Sequence, residues 1–296
     1  MHGDAEGAAL SVGYIGLGTM GEPMARNVLA AGLDLWVHDI NGEAVQRLVD
    51  AGAAAASDPG EMAEHCSIVL INVVNDAQVE EVVCAQDVGL LPRLRQGSVV
   101  VVHSTIHPDT CRRLAARLAE KGIGFVDAPF TGGAAAAAAG KLSLLAGGTD
   151  RDIEAVRAVL ETEGTIMHVG GVGAGETAKL CNNLALAITV HAVHESLQLA
   201  EGAGLKADVA LNVLQSGAAD CWVARNWDAI GNMTANYPRG AQGLAALTNK
   251  DLTLALDVAQ SSGLHLRITE QAATGLEDPY SSALRMLMSN EGGGAD

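Results

Sequence analysis

Val12-Gly13-Tyr14-Ile15-Gly16-Leu17-Gly18-Thr19-Met20-Gly21 is a short apolar run that breaks into a G-x-G-x-x-G loop. A helical pattern over residues 20–31 follows and ends at Gly32. A glycine loop between a strand and a helix is the setting in which this motif binds dinucleotides. Gly16 permits the tight turn, Gly18 lets the backbone approach a pyrophosphate, and Gly21 lets helix and strand pack closely. The helix start then offers unpaired N–H groups and a positive dipole end to the phosphates. Leu17, Thr19 and Met20 complete the loop and are expected to touch the same ligand. The next strand, 34–38, ends at Asp39. A carboxylate there accepts hydrogen bonds from an adenosine ribose and repels a 2′-phosphate, which favours NAD over NADP.

Outward from this stretch the alternation continues. Residues 67–73 and 98–102 are continuous apolar runs rich in Val and Ile, and 124–126, 142–145 and 166–169 read as further strands. Helical patterns lie between them near 77–83 and 108–121, and the six alanines at 134–139 predict a short helix. Strands alternating with helices imply βαβ units and a mostly parallel sheet. After Gly170-Gly171-Val172-Gly173-Ala174-Gly175 the pattern changes to helix, with 176–202 as one rod of about 40 Å. Further helices are expected at 207–214, 249–261 and 269–287. The fold class is α/β: a Rossmann-like N-terminal domain with a mostly parallel sheet, then an all-α C-terminal domain. The expected division is a disordered leader at 1–10, a dinucleotide-binding domain at 11–172, an all-α substrate and oligomerisation domain at 173–290, and a disordered tail at 291–296.

Composition narrows the functional classes. A net charge of −17 repels phosphate backbones and anionic lipid heads, which argues against nucleic acid and membrane as partners. Five cysteines, none spaced C-x-x-C, argue against a disulfide framework or a metal site and for a reducing cytoplasm. His191, His194 and Glu195 match neither common zinc-hydrolase motif, so no metal is expected. The most apolar stretch, 184–200, is broken by those same residues and is too short and polar to span a bilayer.

Four blocks extend the reading: GYIGLGTMGEPMA at 13–25, HSTIHP at 103–108, DAPFTGG at 127–133 and GVGAGETAKLCNN at 171–183. With Lys250-Asp251-Leu252 they make the chain, from about residue 12 to about 269, resemble the β-hydroxyacid dehydrogenase family, the group around 3-hydroxyisobutyrate dehydrogenase. The resemblance implies an NAD-dependent oxidoreductase acting on a small hydroxy acid. It puts Lys179 at the catalytic lysine, Asn183 at a substrate-holding asparagine, and Thr131-Gly132-Gly133 at the substrate-carboxylate loop, usually Ser-Gly-Gly. It puts Thr105 and Lys250 at cofactor contacts near the nicotinamide end, and Val73 and Val74 beside the adenosine side. Phe130-Thr131 replaces the more usual Val-Ser, and the segment 218–239 matches no particular subfamily.

The residue types suit the chemistry. Alcohol oxidation needs a hydride acceptor and a base for the hydroxyl proton. Lys179 serves as that base if its pKa falls below the reference of about 10.4. A cationic nicotinamide ring and burial at a domain seam both push it down. Asn183, four residues on, shares its helical face. A phosphogluconate-type decarboxylating dehydrogenase would need an acid seven residues after the lysine, where this chain has Leu186. Two alternatives stand beside the dehydrogenase: an imine or ketone reductase of the same fold, which usually lacks the lysine, and a non-catalytic NAD-binding protein, which needs neither Lys179 nor Asn183. A homo-oligomer, dimer or tetramer, is expected from the apolar helical domain.

Overall fold

The computed structural model describes residues 10–292. The elements run β1 (Ser11–Ile15), α1 (Gly21–Ala30), β2 (Asp34–His38), α2 (Gly42–Val49), β3 (Ala54–Ala55), α3 (Pro59–His65), β4 (Ile68–Ile71), α4 (Asp76–Cys84), α5 (Leu90–Arg93) and β5 (Val99–Val102). They continue with α6 (Pro108–Ala119), β6 (Gly124–Asp127), β7 (Phe130–Thr131), α7 (Gly133–Ala138), β8 (Leu142–Gly147), α8 (Asp150–Leu160), β9 (Gly164–Gly170) and α9 (Ala174–Gly202). Six helices follow: α10 (Ala207–Ser216), α11 (Trp222–Arg225), α12 (Trp227–Asn236), α13 (Gly240–Ser261), α14 (Arg267–Ala272) and α15 (Glu277–Gly292). The readings of a leader and a tail fall outside the described residues, save for Leu10 before β1 and the last two residues of α15.

The strands form one sheet in the order β3-β2-β1-β4-β5-β6-β8-β7, with β9 paired to β8. From β3 to β6 every pairing is parallel, and β8 runs antiparallel to β6 and β7. The order reverses between β1 and β4, the switch point at whose carboxyl ends ligands of such sheets bind. β4 (IVLI) and β5 (VVVV) are apolar at every position because both sheet faces are covered. Ile68, Leu70, Val99 and Val101 enter one core, and Val69, Ile71, Val100 and Val102 enter the other. Each such side chain contributes about 1.5–3 kcal/mol on burial.

The chain divides into two compact units, up to Lys179 and from Leu180. The second has its own core, built on Val190, Val193, Trp227, Leu252 and Tyr280. Its strand-free composition matches the expected all-α domain.

Where elements differ from expectation, the cause is local. The pattern at 269–287 is two helices, because Gly275 (φ +73°) turns the chain between α14 and α15. α13 starts at Gly240 rather than 249, and α11 and α12 fill a stretch that carries no clear periodicity. α8 begins at a Thr149 cap that accepts from the Asp152 N–H at 3.1 Å, a start signal the apolar pattern alone does not show.

Candidate active site

The glycine loop is built by contacts that leave no room for side chains. Gly16 sits at φ +93°, and a Cβ there would lie 2.2 Å from the Asn72 carbonyl oxygen. A Cβ at Gly21 would lie 1.9 Å from the Gly16 carbonyl oxygen, so α1 could not start against the turn. Gly18 is different: a Cβ there would meet nothing within 4 Å. The first two glycines are demanded by packing, whereas Gly18 leaves an open approach to the backbone. α1 has no side-chain cap, unlike α2, α3 and α4, which Asn41, Asp58 and Asn75 cap. These features fit a dinucleotide pyrophosphate at the loop.

Asp39 is tied into the same loop. Its Oδ2 accepts from the Leu17 N–H at 2.5 Å, and its Oδ1 accepts from the Asn41 N–H at 2.7 Å. Each carboxylate oxygen keeps a second lone-pair direction for a ribose hydroxyl. The reading from sequence gave Asp39 a ligand role and missed its part in fixing the loop. Val73 and Val74 follow β4. The Val73 N–H donates to Ser104 Oγ at 2.8 Å, and Val74 is exposed. Thr105 is half-buried beside Ser104.

Lys179 lies in the first unit on α9. Its Nζ donates to the Phe130 carbonyl oxygen at 2.6 Å, which brings the amine to the residue before Thr131-Gly132-Gly133. Thr131 closes β7 opposite Ser143, and Gly132 (φ +134°) and Gly133 (φ +75°) take backbone conformations that favour glycine. The start of α9 is held by Asp127, which is fully buried. Its Oδ1 accepts from the Gly173 N–H at 2.7 Å and its Oδ2 from the Glu176 N–H at 3.0 Å. Burial lifts the Asp127 carboxyl above its ordinary range, against the pull of those backbone donors. Glu176, also buried, accepts from the Ile106 N–H at 3.3 Å. Asp127 and Glu176 stand inside the quoted blocks, yet only the fold shows that they anchor the lysine's helix.

In the second unit Asn183 and Lys250 meet through Asp251. Asn183 Nδ2 donates to Asp251 Oδ2 at 2.6 Å, and Lys250 Nζ pairs with Asp251 Oδ1 at 3.0 Å. Asp251 was quoted with its neighbours but given no role; its near-complete burial marks it as the hub. His191 donates Nε2 to the Ala272 carbonyl at 2.9 Å, which explains it as a packing residue. Arg225 is paired with Asp220 at 2.6 Å, and Trp227 is core while Trp222 is exposed.

Strand order, glycine loop and the acid closing β2 define a dinucleotide-binding protein. A family model described as the NAD binding domain of 6-phosphogluconate dehydrogenase matches residues 11–171. A second, described as NAD-binding of NADP-dependent 3-hydroxyisobutyrate dehydrogenase, matches residues 173–284. The mitochondrial 3-hydroxyisobutyrate dehydrogenase of Drosophila melanogaster is 35% identical over 262 residues, covering 87% of this chain and 80% of that protein. The NAD-dependent L-serine dehydrogenase of Pseudomonas aeruginosa is 37% identical over 256 residues, covering 85% and 86%. The solved 3-hydroxyisobutyrate dehydrogenase of Mycobacterium tuberculosis with L-serine superposes with a TM-score of 0.82 at 28% identity, over 95% of this chain and 99% of that one. The chain belongs to the β-hydroxyacid dehydrogenase family, and its first unit carries the NAD-binding domain.

Proposed function

We infer that the protein oxidises the hydroxyl of a small 3-hydroxy acid, with NAD as acceptor and Lys179 as general acid/base. The single observation that carries this reading is the 2.6 Å bond from Lys179 Nζ to the Phe130 carbonyl. It holds an amine at a fixed point next to a loop whose backbone N–H groups and Thr131 hydroxyl suit a carboxylate. Bound NAD supplies the hydride acceptor.

The chain's own residues do the rest. The N–H groups of Gly132 and Gly133 and the Thr131 hydroxyl bind the carboxylate, and Lys179 takes the hydroxyl proton as the alcohol carbon becomes a carbonyl. In reverse, the ammonium returns that proton. Asn183, oriented by Asp251, presents its amide to the substrate. Thr105 and Lys250 serve the nicotinamide end, and Val73 and Val74 the adenosine side. Asp39 offers its remaining lone pairs to the ribose and its charge against a 2′-phosphate, so NAD is preferred. The names of the relatives, 3-hydroxyisobutyrate dehydrogenase and L-serine dehydrogenase, support a substrate of that size. Five free cysteines suit a reducing compartment such as the cytoplasm.

Replacing Lys179 by Ala tests the assignment. Loss of a general acid/base lowers kcat by about 10²–10⁴-fold. Binding of NAD, read by titration calorimetry, is expected to persist. Near-normal turnover in Lys179→Ala would remove the lysine from the mechanism.

A further inference from the structure

Beside the glycine loop lies a cavity of ≈ 420 Å³. Loop residues 17–19, Asn41, Glu22, Arg26 and Arg47 are among those that line it. Two arginines next to a dinucleotide loop would ordinarily invite a further phosphate, since guanidinium is the side chain best matched to that group. Here both are already engaged by one carboxylate. Glu22 Oε1 accepts from Arg26 Nη2 at 2.8 Å, and Glu22 Oε2 accepts from Arg47 Nη2 at 2.6 Å and Nε at 3.1 Å. The Arg47 contact is two-pronged and bridges α1 to α2. Hydrogen bonding from Arg47 holds the Glu22 carboxyl below its ordinary range, so the clamp stays charged at neutral pH.

The geometry points to Glu22 as the residue that sets dinucleotide choice: by holding Arg26 and Arg47 it withholds both cations from a 2′-phosphate. Glu22 is the carboxylate among the residues lining the cavity, and Glu43 adds a second negative charge near Arg47. Asp39, whose oxygens also fasten the Leu17 and Asn41 N–H groups, repels a 2′-phosphate, and Glu22 adds to this by keeping the arginines from attracting one. Glu22 makes no such backbone contact in the loop, and its removal frees both arginines at once. Both guanidinium groups line the cavity and are then available to a phosphate there, and Arg–phosphate bonds are among the stronger charge-assisted kind.

This inference rests on the reading of residues 16–21 as the dinucleotide loop. The test measures Kd for NAD and NADP by titration calorimetry on the full chain, wild type against Glu22→Ala and Glu22→Gln. The expected result is a fall of at least tenfold in the ratio of Kd for NADP to Kd for NAD in Glu22→Ala. That gain is expected to vanish when Arg47→Ala is added, and to shrink as salt rises because the arginines are partly exposed. Glu22→Gln keeps the shape while removing the charge, and is expected to shift the ratio in the same direction. An unchanged ratio in both variants, with NAD still bound, overturns the role of Glu22 alone. Failure of the wild type to bind NAD overturns the loop reading as well.

Discussion

His103 and Glu163 are both sealed from water, 3.1 Å apart, at the end of β5 and the start of β9. His103 also donates Nδ1 to the Ala128 carbonyl at 2.7 Å, so it ties the 103–108 block to the 127–133 block. Burial pulls its pKa down, but the Glu163 charge 3.1 Å away and the Ala128 carbonyl outweigh this and hold it above the ordinary value. Tyr14 stacks nearby, and burial followed by the same Glu163 charge pushes its phenol well up. A folded-state pKa above the unfolded value of about 6.5 means a contribution fully present below that pH. It is lost as pH rises through the raised value. Removing one partner of a buried pair costs about 3–5 kcal/mol. Thermal unfolding is therefore expected to show Glu163→Gln well below wild type near pH 6, with the gap narrowing as pH rises. A gap that widens toward high pH would mean that the imidazolium is not what the pair stabilises. None of this was legible in the sequence, where His103 stood only as the first residue of the HSTIHP block. Its partner lies 60 residues away, and only the sheet brings them together. Lys179, by contrast, was legible, because a block of neighbours fixes its place on a helix.

At the scale of elements, the strands were read most clearly. β4 and β5 announce burial on both faces by having no polar position to spare. The helices between them were less visible where short or marked only by a cap, as with α2, α3 and α8. The segment 218–239 stayed opaque for the same reason: α11 has four residues, and Arg239 adopts a left-handed conformation (φ +63°) ahead of α13. The start of α9 shows how an element positions chemistry. Gly175 sits so close to β8 that a Cβ would lie 2.2 Å from the Leu145 carbonyl oxygen and 2.7 Å from that of Asp127. Backbone cannot yield as a side chain can. Gly175→Ala is expected to cost about 1–3 kcal/mol in stability, as overpacking does. It should also lower kcat, because the shift is passed along the helix to Lys179. A variant with unchanged melting temperature and kcat would show that α9 tolerates displacement at its start.

At the scale of the molecule, the charge of −17 and the two compact units frame a small-molecule enzyme. No helix among the described residues is long and apolar enough to cross a membrane. Leu199, Val209, Val213, Leu264 and Ile268 are exposed on the second unit. The choice of hydroxy acid was not legible, because no local pattern names the groups that a binding pocket presents to a substrate. The central claim is that this chain turns over a 3-hydroxy acid with NAD. The direct measurement is absorbance at 340 nm with NAD and a panel holding 3-hydroxyisobutyrate, 3-hydroxypropionate, serine and small sugar acids. NADH production is expected with at least one of them, faster than NADPH production with NADP. Tight NAD binding with no turnover of any acid would contradict it and leave a dinucleotide-binding protein without the reaction.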